Sequence, residues 1–332
     1  MKRGLVIGKF MPIHQGHIAL IDFAARHCDE LIVSLSYTAH DPISSELRFS
    51  WIKEIFEDRS TIKLAMVKDD FDDESLPLLQ RTKVWSDFIQ RTYPAVDILF
   101  SSEKYGEPFA ENLGALHKSF DQERKMYPVS ATRIRQKPFQ YWDFIPAVVR
   151  PYFVKKICFY GPESTGKSTL TVRMAERYQT EFVPEVAREL INSNDFTVED
   201  IIKIGYAHFQ RIEEKSKIAN KILFCDTDAI TTQIYARQYL NVVPDVLYEV
   251  EKKVKFDLYF LMDIDVPWVA DGLRDLGQQR ETMLKVFKEE LIQRGIPFIL
   301  VKGTHRQREE IVEKEIDRLL NRVTSNGGEF GL

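Results

Sequence analysis

The amino-acid sequence predicts an α/β fold with two parallel-sheet domains in tandem. Two segments share one layout, in which a short apolar strand leads through a glycine-containing loop into a helical pattern. The first segment joins residues 5–7 to the loop 8–16, and the second joins residues 157–160 to the loop 161–166. Parallel α/β domains begin in this way, and they bind ligands at the carboxyl ends of their strands.

The length of the chain also favours two domains. It has 332 residues, and one domain usually takes about 100–200. Pro138, Pro146 and Pro151 interrupt an aromatic-rich stretch, and proline tends to end regular structure. We therefore predict a boundary near residue 150, with domains at 1–150 and 151–332.

Each half continues with alternating strand and helix patterns. In the first half we predict strands at 30–36, 62–67 and 96–100 and helices at 46–56 and 79–93. In the second half we predict strands at 222–225, 258–262 and 298–301 and helices at 169–178, 201–220, 281–294 and 307–322. We interpret the acidic loop 69–74 as solvated and not catalytic.

Composition narrows the class of protein. A net charge of −4, with 29% charged residues, gives no support for bulk binding to nucleic acid or membrane surfaces. The cysteines Cys28, Cys158 and Cys225 lie far apart, which argues against a disulfide framework or a zinc site. No apolar run reaches the ~18–20 residues of a membrane span, and the N-terminus is typical of a first strand and not of a signal peptide. We expect a cytoplasmic protein with small-molecule partners.

The strongest motif is a complete G-x-x-x-x-G-K-[ST] loop between a strand and a helix. Its residues, with the next helical position, are Gly161, Pro162, Glu163, Ser164, Thr165, Gly166, Lys167, Ser168 and Thr169. Glycines let the backbone N–H groups face phosphates, and the helix N-terminus favours negative charge. We predict ATP binding here, with Lys167 on the β- and γ-phosphates and Ser168 on Mg²⁺.

Acidic residues follow two further strand patterns. Asp226 comes directly after the strand 222–225, where it could hold Mg²⁺ through water or deprotonate an acceptor hydroxyl. Asp228 fits a substrate contact and a helix N-cap equally well. Glu185 and Arg188 follow the strand-like residues 181–183, and the Glu185 carboxylate is a candidate ligand for acceptor hydroxyls.

A glycine-hinged loop follows the strand 258–262 and contains Asp271-Gly272-Leu273-Arg274. It resembles a kinase lid, in which Arg274 would neutralise charge on the moving phosphoryl group. The sequence contains no Asn-Lys-x-Asp guanine-reading element, so ATP fits better than GTP.

The second strong motif lies where the first strand turns into a helix. Its residues are Gly8, Lys9, Phe10, His14, Gly16 and His17. Zinc binding is the alternative, but no carboxylate or third histidine follows at helical spacing. Two imidazoles beside a helix N-terminus suit the phosphate chain of ATP, because both stabilise growing negative charge.

A partner element at residues 129–135 again has the pattern of a strand end, a cap and a helix start. Ser130 and Thr132 can donate hydrogen bonds to phosphates, and Arg135 supplies positive charge. Capping alone would explain Ser130, but it would not explain the pairing with the histidine motif.

These motifs together resemble a known family. H-x-G-H with S-x-T-x-x-R near residue 130 resembles the nucleotidylyltransferase superfamily, and G-K-F-x-P-x-H-x-G-H is similar to its nicotinamide mononucleotide (NMN) adenylyltransferase branch. A P-loop domain directly after it, with the segments 226–232 and 268–277, resembles the bifunctional NadR-type proteins, which join NMN adenylyltransferase to ribosylnicotinamide kinase. The resemblance implies a Rossmann-like nucleotidylyltransferase domain followed by a P-loop kinase domain.

The resemblance also implies an activity for each domain. The N-terminal domain would join ATP and NMN into NAD and pyrophosphate. The phosphates would be held by His14, His17, Lys9 and Arg135. Trp85 would stack on the nicotinamide ring, although a core position is an equally good interpretation of this residue.

The C-terminal domain would phosphorylate the 5′-hydroxyl of ribosylnicotinamide with ATP and Mg²⁺. Asp226 would be the base, and Trp268 of the lid-like segment would lie at the substrate. The NMN produced would be the substrate of the first domain, so the chain would catalyse two consecutive steps of NAD salvage.

Other interpretations stay open. A nucleotidylyltransferase joined to a different small-molecule kinase, or an ATP- or NAD-sensing regulator with weak turnover, would carry similar motifs. NadR proteins of enteric bacteria have an N-terminal helix-turn-helix domain, whereas the first strand here begins at residue 4, so we expect no such domain. The sequence leaves the oligomeric state open, a homo-oligomer included.

Overall fold

A computed structural model of the chain describes residues 1–70, 72, 75–191, 195–268 and 277–321. The chain forms two compact units, Met1–Val149 and a second that begins at Arg150. Each unit contains a five-stranded sheet whose described strand pairs are all parallel. The predicted α/β fold with two parallel-sheet domains is confirmed.

The first sheet has the strand order β3-β2-β1-β4-β5. Its strands are β1 (Arg3–Gly8), β2 (Glu30–Tyr37), β3 (Ile62–Lys68), β4 (Ile98–Ser101) and β5 (Leu116–Ser119). The helices of this unit are α1 (Gln15–Ala25), α2 (Ser45–Phe56), α3 (Leu78–Thr92), α4 (Gly106–Leu113) and α5 (Ala131–Gln136). The strand order reverses at β1, and ligands of open α/β sheets bind at such a reversal.

The second sheet has the order β10-β9-β6-β8-β7. Its strands are β6 (Lys155–Tyr160), β7 (Phe182–Val183), β8 (Ile222–Asp226), β9 (Leu258–Met262) and β10 (Phe298–Val301). The helices are α6 (Lys167–Tyr178), α7 (Ala187–Leu190), α8 (Val198–Ile218), α9 (Ala229–Leu240), α10 (Asp245–Lys253), α11 (Arg280–Gln293) and α12 (His305–Asn321). Short 3₁₀ turns occupy Trp142–Phe144, Arg150–Tyr152 and Gly277–Gln279.

Helices cover both faces of the second sheet. Ile157 and Phe159 of β6 pack with α6 and α12 on one face. Cys158 and Tyr160, which alternate with them, pack with α9 and α11 on the other. A strand buried on both faces has a continuous apolar sequence, which explains why the apolar runs located the central strands so well.

The elements that the sequence did not predict are short or half-polar. Strand β5 lies at a sheet edge and has the sequence LHKS, with none of its residues fully buried, so it offers no apolar run. Helices α4 and α10 have only 8 and 9 residues. Within the part of the chain that the structure describes, no helix combines the length and apolar character needed to cross a bilayer.

Helix α8 begins with a reciprocal cap. Thr197 Oγ1 accepts a hydrogen bond from the Asp200 N–H at 3.3 Å, and the Asp200 carboxylate accepts one from the Thr197 N–H at 3.0 Å. Such a capping box satisfies two N–H groups that the helix leaves free. The cap fixes the start of a helix whose buried face includes Ile201, Ile204 and His208.

Candidate active sites

The histidine motif forms a compact cluster at the carboxyl end of β1. His14 is the N-cap of α1, and its Nδ1 accepts a hydrogen bond from the Gly16 N–H at 3.1 Å. The rings of His14 and His17 stack with centroids 3.7 Å apart, and Phe10 packs edge-on against His17. A Cβ at Gly16 would lie 3.1 Å from the His14 ring and 3.3 Å from Tyr127, so a larger residue here would push against the stacked imidazoles.

Both imidazoles of this cluster are neutral at physiological pH. Burial, with a smaller contribution from the Arg124 charge, lowers the pKa of His14 to about 3. Burial also lowers the pKa of His17 well below its ordinary value. The buried Nδ1 of His17 has no hydrogen-bond partner among the described residues. A buried polar atom without a partner is costly, and His17 lines a cleft, so a ligand in that cleft would complete the hydrogen bonding of this nitrogen.

A cleft lies between the histidines and the start of α5. Thr132 lines it, as does Ser130, whose Oγ caps α5 by accepting from the Arg133 N–H at 3.3 Å. Arg124 also lines the cleft, and its guanidinium donates to Glu103 at 2.7 Å. Sequence reasoning missed Arg124, since it lies in a turn with no recognisable motif.

Arg135 lies beside the cleft and binds the neighbouring loop. Its Nη1 donates to the carbonyl of Met11, and its Nη2 lies 3.4 Å from Thr132 Oγ1. Arg135 therefore ties α5 to the loop between β1 and α1. Its predicted contact with phosphates stays a prediction.

Arg48 is a buried cation for which the sequence predicted no role. Its guanidinium donates to the Lys9 carbonyl at 2.5 Å, to the Ser36 carbonyl at 3.4 Å and to the Asp41 carboxylate at 2.7 Å. Lys9 Nζ lies 3.9 Å from the same carboxylate, with its side chain 40% exposed. Arg48 and Asp41 thus fix the backbone at Lys9 while leaving the amine accessible.

A second cavity of the first unit is lined by Gly8, Lys9 and Trp85. The Trp85 ring packs edge-on against Tyr105 and Phe109, with centroids 5.4 Å and 5.7 Å away. Both interpretations of Trp85 therefore apply, because one part of the ring packs in the core and another lines the cavity.

The acidic loop contributes to this cavity, which differs from the solvated loop that the sequence predicted. Asp72 lines the cavity and accepts two hydrogen bonds from Arg81, one of them from Nε at 2.9 Å. The Arg81 guanidinium lies 5.2 Å from the centre of the Trp85 ring. Phe71, Asp73 and Glu74 lie outside the described residues.

In the second unit, the loop 161–168 curls through three residues with positive φ. Gly161 has φ 138°, Ser164 has φ 55° and Gly166 has φ 85°. A Cβ at Gly161 would lie 3.1 Å from the Met262 carbonyl, so β9 leaves no room for a side chain. The buried Lys167 ammonium donates to the carbonyls of Gly161 and Pro162, both at 2.9 Å.

Two arginines hold the outside of this loop. Arg308, which is buried, donates to the Thr165 carbonyl at 2.6 Å and pairs with Asp265. Arg280 donates to the Ser164 carbonyl at 3.2 Å. These two hydrogen bonds occupy the carbonyls of Ser164 and Thr165, so they help to fix the backbone of a loop whose N–H groups phosphate binding would use. Both arginines lie more than a hundred residues from the motif, so sequence reasoning missed them.

Asp226 is the last residue of β8 and pairs in register with Phe159 of β6, the strand before the loop. Its side chain is buried, and its Oδ1 has no partner among the described residues. Burial and the nearby Glu185 raise its pKa to about 6, against the opposing effects of Lys167 and of a hydrogen bond with Ser168. A carboxylate with one unpaired oxygen beside a serine hydroxyl is a donor set that suits Mg²⁺.

Asp228 is used within the fold. One of its oxygens accepts from the N–H and hydroxyl of Thr231, at 2.8 Å and 2.9 Å, and the other accepts from the Tyr259 hydroxyl at 2.9 Å. Burial raises the pKa of Asp228 to about 6. Of the two interpretations left open by the sequence, the geometry favours the helix cap.

A cavity is lined by Thr227, the residue that follows Asp226. Its polar walls include Glu163, Glu185 and Arg188, and the last two form an ion pair at 2.7 Å. Glu163, which we predicted at the ATP, therefore lies on the wall of this cavity. Its remaining walls are formed largely by aliphatic and aromatic side chains, among them Ile201, Ile204, Phe196, Tyr235 and Tyr239.

The lid-like segment is described only at its two ends. Trp268 packs closely on Gly277, where a Cβ would lie 2.9 Å from the indole, and the Arg280 guanidinium lies 5.8 Å from its ring centre. Arg274 lies outside the described residues.

Ser168 and Thr169, which we predicted at the ATP, are exposed at the start of α6.

The folds and sites of the two units define a nucleotidyltransferase-type domain followed by a P-loop domain, and comparison with known proteins agrees. A family model described as cytidylyltransferase-like matches residues 5–137, and one described as an AAA domain matches residues 156–308.

More specific relatives cover most of the chain. It is 32% identical over 326 residues to the trifunctional NAD biosynthesis/regulator protein NadR of Salmonella typhimurium, a match that covers 90% of this chain and 78% of the relative. The NadR protein of Escherichia coli is 31% identical over the same shares of the two chains. The chain belongs to the NadR family.

Two further comparisons agree with this assignment, one for the first domain and one for the fold of the whole chain. The nicotinamide-nucleotide adenylyltransferase of Methanolobus tindarius is 28% identical over 156 residues, which are 45% of this chain and 86% of that protein. A crystal structure of a NadR protein in complex with NR shares the fold, with a TM-score of 0.78, 21% identity and coverage of 98% of each chain.

We predict that Arg48→Met destabilises the first unit by about 3 kcal/mol, because the Asp41 carboxylate and two carbonyls lose a buried donor. Chemical denaturation followed by fluorescence would measure the loss. Arg59→Met is the control, since the Arg59–Asp22 pair is half-exposed and such pairs contribute about 1 kcal/mol or less. Equal stability of the two variants would contradict the structural role of Arg48.

We predict that Asp226→Asn stabilises the second unit at pH 7.5. The folded-state pKa of about 6 exceeds the ordinary 3.8, so the ionised carboxylate disfavours folding above pH 6, and this penalty disappears as the pH falls below 3.8. The gain should be on the order of 2 kcal/mol at pH 7.5 and smaller at pH 5. Denaturation midpoints at the two pH values would show it, and a stability loss at pH 7.5 would contradict it.

Proposed function

We propose that this protein makes NAD in two consecutive steps. The domain at 151–332 phosphorylates ribosylnicotinamide with ATP to give NMN, and the domain at 1–150 joins NMN to the adenylyl group of ATP, releasing pyrophosphate. The observation that carries the proposal is that each unit sets candidate phosphate-binding groups close to a separate cavity, lined by Trp85 in the first unit and by Glu185 and Arg188 in the second. The NadR relatives support the pairing of activities, and the adenylyltransferase relatives support the first domain. ATP is abundant in the cytoplasm, so its use as the co-substrate is consistent with a cytoplasmic enzyme.

In the kinase step, the 5′-hydroxyl of the nucleoside attacks the γ-phosphorus of ATP. Asp226 accepts the hydroxyl proton as the new P–O bond forms and the bond to the β-phosphate oxygen breaks. Lys167 and the N–H groups of residues 161–168 hold the phosphates, while Glu185 and Arg188 take the ribose hydroxyls. Ser168 and, through water, Asp226 would hold Mg²⁺, which neutralises phosphate charge.

In the adenylyl-transfer step, a phosphate oxygen of NMN attacks the α-phosphorus of ATP and pyrophosphate leaves. No group of the protein needs to form a covalent bond, so catalysis rests on positioning and electrostatic stabilisation. The neutral imidazoles of His14 and His17 donate hydrogen bonds to the phosphate chain, and Lys9 supplies charge. Trp85 receives the nicotinamide ring in the second cavity of this unit.

The two steps should separate by mutation. Purified protein would receive Mg²⁺, ATP and either ribosylnicotinamide or NMN, with NMN and NAD followed by chromatography. Lys167→Ala should lower NMN formation at least about 100-fold, and His17→Ala should lower NAD synthesis from NMN by a similar factor. Each variant should keep the other activity.

Two surface variants serve as controls, Lys217→Ala and His40→Ala, since both residues are exposed. If the unmodified protein forms neither product, the proposed function is wrong. If Lys167→Ala or His17→Ala removes both activities from folded protein, the assignment of one step to each domain is wrong.

The kinase step should also depend on pH through Asp226. Its carboxylate must be ionised to accept the proton, and its pKa in the free protein is about 6, so kcat/KM should fall as the pH drops through this region. The residual turnover of Asp226→Asn should lack the inflection. An unchanged profile in that variant would exclude Asp226 as the base.

A further inference from the structure

One buried polar side chain of the kinase cavity has no role in the phosphoryl-transfer mechanism. His208 lies on α8 with 3% of its surface exposed and lines the cavity together with Ile201 and Ile204. These positions lie on one face of the helix at spacings of three and four residues. His208 is therefore a polar group set among apolar ones.

The imidazole of His208 is available for a ligand. Its Nε2 is buried and has no hydrogen-bond partner among the described residues. Burial lowers the pKa of His208 to about 4, although the nearby Glu185 opposes this shift. The ring is therefore neutral at physiological pH and can donate or accept at Nε2, depending on its tautomer.

The cavity wall around His208 is apolar. Ile201 and Ile204 of α8 line the cavity together with Phe196. Glu185 interacts electrostatically with both Asp226 and His208, so it lies within reach of the catalytic carboxylate and of the imidazole. A flat heteroaromatic base packs well against apolar walls, so the base of the nucleoside fits beside His208 and its ribose beside Glu185.

We propose that His208 is a specificity-determining residue, which hydrogen-bonds the uncharged carboxamide on the base of the nucleoside. This inference rests on the proposed kinase function and assigns to His208 the selection of the amide riboside over the corresponding acid. A carboxamide carries both a donor and an acceptor, so it satisfies Nε2 in either tautomer.

A carboxylate in the same place is disfavoured for two reasons. It can only accept hydrogen bonds, and it brings negative charge close to Glu185, which already interacts with His208. Glu163 and Glu185 on the walls suit the positive charge of the pyridinium ring, and a carboxylate on the ring would cancel that charge. The site should therefore select the amide riboside over the acid riboside.

The test compares phosphorylation of ribosylnicotinamide and ribosylnicotinic acid by the full chain at pH 7.5. The unmodified protein should prefer the amide by at least about ten-fold in kcat/KM, and His208→Leu should lose about ten-fold on the amide, mainly in KM, the size of one neutral hydrogen bond. The acid riboside should lose little. His208→Gln, which restores a donor and an acceptor, should recover most of the preference.

Ser216→Ala is the matched control. Ser216 lies on the same helix and has a buried Oγ with no partner among the described residues, but it is not among the residues lining the cavity. This variant should keep the wild-type ratio of the two substrates. Circular dichroism of each variant would establish that it is folded.

Several outcomes would overturn the inference. The inference is wrong if the unmodified protein phosphorylates the two ribosides with equal kcat/KM. It is also wrong if His208→Leu lowers kcat/KM equally for both substrates. If the unmodified protein phosphorylates neither riboside, the proposed kinase function itself fails. Phosphorylation of the acid alone would leave the kinase function standing and reject the role of His208.

Discussion

Both sites depend on a property of parallel sheets, which is that all strands end at the same edge. The loop after β6 and Asp226 at the end of β8 come from positions about sixty residues apart, yet β6 and β8 are neighbours in register. In the first sheet, β1 lies between β2 and β4, so the histidine loop starts at the reversal of strand order. The sheet thus brings distant residues together before any side chain contributes.

This arrangement has a cost, which the buried polar atoms show. Asp226 Oδ1, His17 Nδ1 and His208 Nε2 are all buried without a partner in the described part of the chain. Each would be unfavourable in a core that served stability alone. Their surroundings hold them in place, since β8 positions Asp226 and the stacked ring of His14 positions His17. His17 and His208 also line cavities, which distinguishes them from unpaired buried atoms such as Ser216 Oγ.

The sequence predicted the parts of these sites that a local pattern specifies. The loop 161–168 and the pair His14 and His17 each lie within a few residues of a strand end, so spacing alone locates them. Asp228 was ambiguous because capping and substrate binding call for the same residue type. The three-dimensional structure was needed to show that Thr231 and Tyr259 donate hydrogen bonds to the two carboxylate oxygens of Asp228.

Long-range contacts account for what the sequence did not predict. Arg48 lies on α2, where an arginine normally faces solvent, yet it is fully buried. Arg308 reaches Thr165 across 143 positions of the chain. No periodicity or motif encodes such pairs. Short elements such as β5 were missed for a related reason, because an edge strand buries too little to produce an apolar run.

The charges of the two units suit the order of the proposed reactions. The kinase cavity carries Glu163 and Glu185 on its walls, which favour a cationic nucleoside. Adding a phosphate makes the product anionic, and the same carboxylates, with Asp226 nearby, then disfavour it. Arg188, which pairs with Glu185, leaves the walls of the kinase cavity with one formal negative charge. The cavity beside Trp85 is lined by Lys9 and Arg81 and by Asp69 and Asp72, so its formal charges cancel. Phosphorylation therefore weakens the electrostatic fit of the ligand to the second unit, whereas the cavity of the first unit brings no net negative charge against the product.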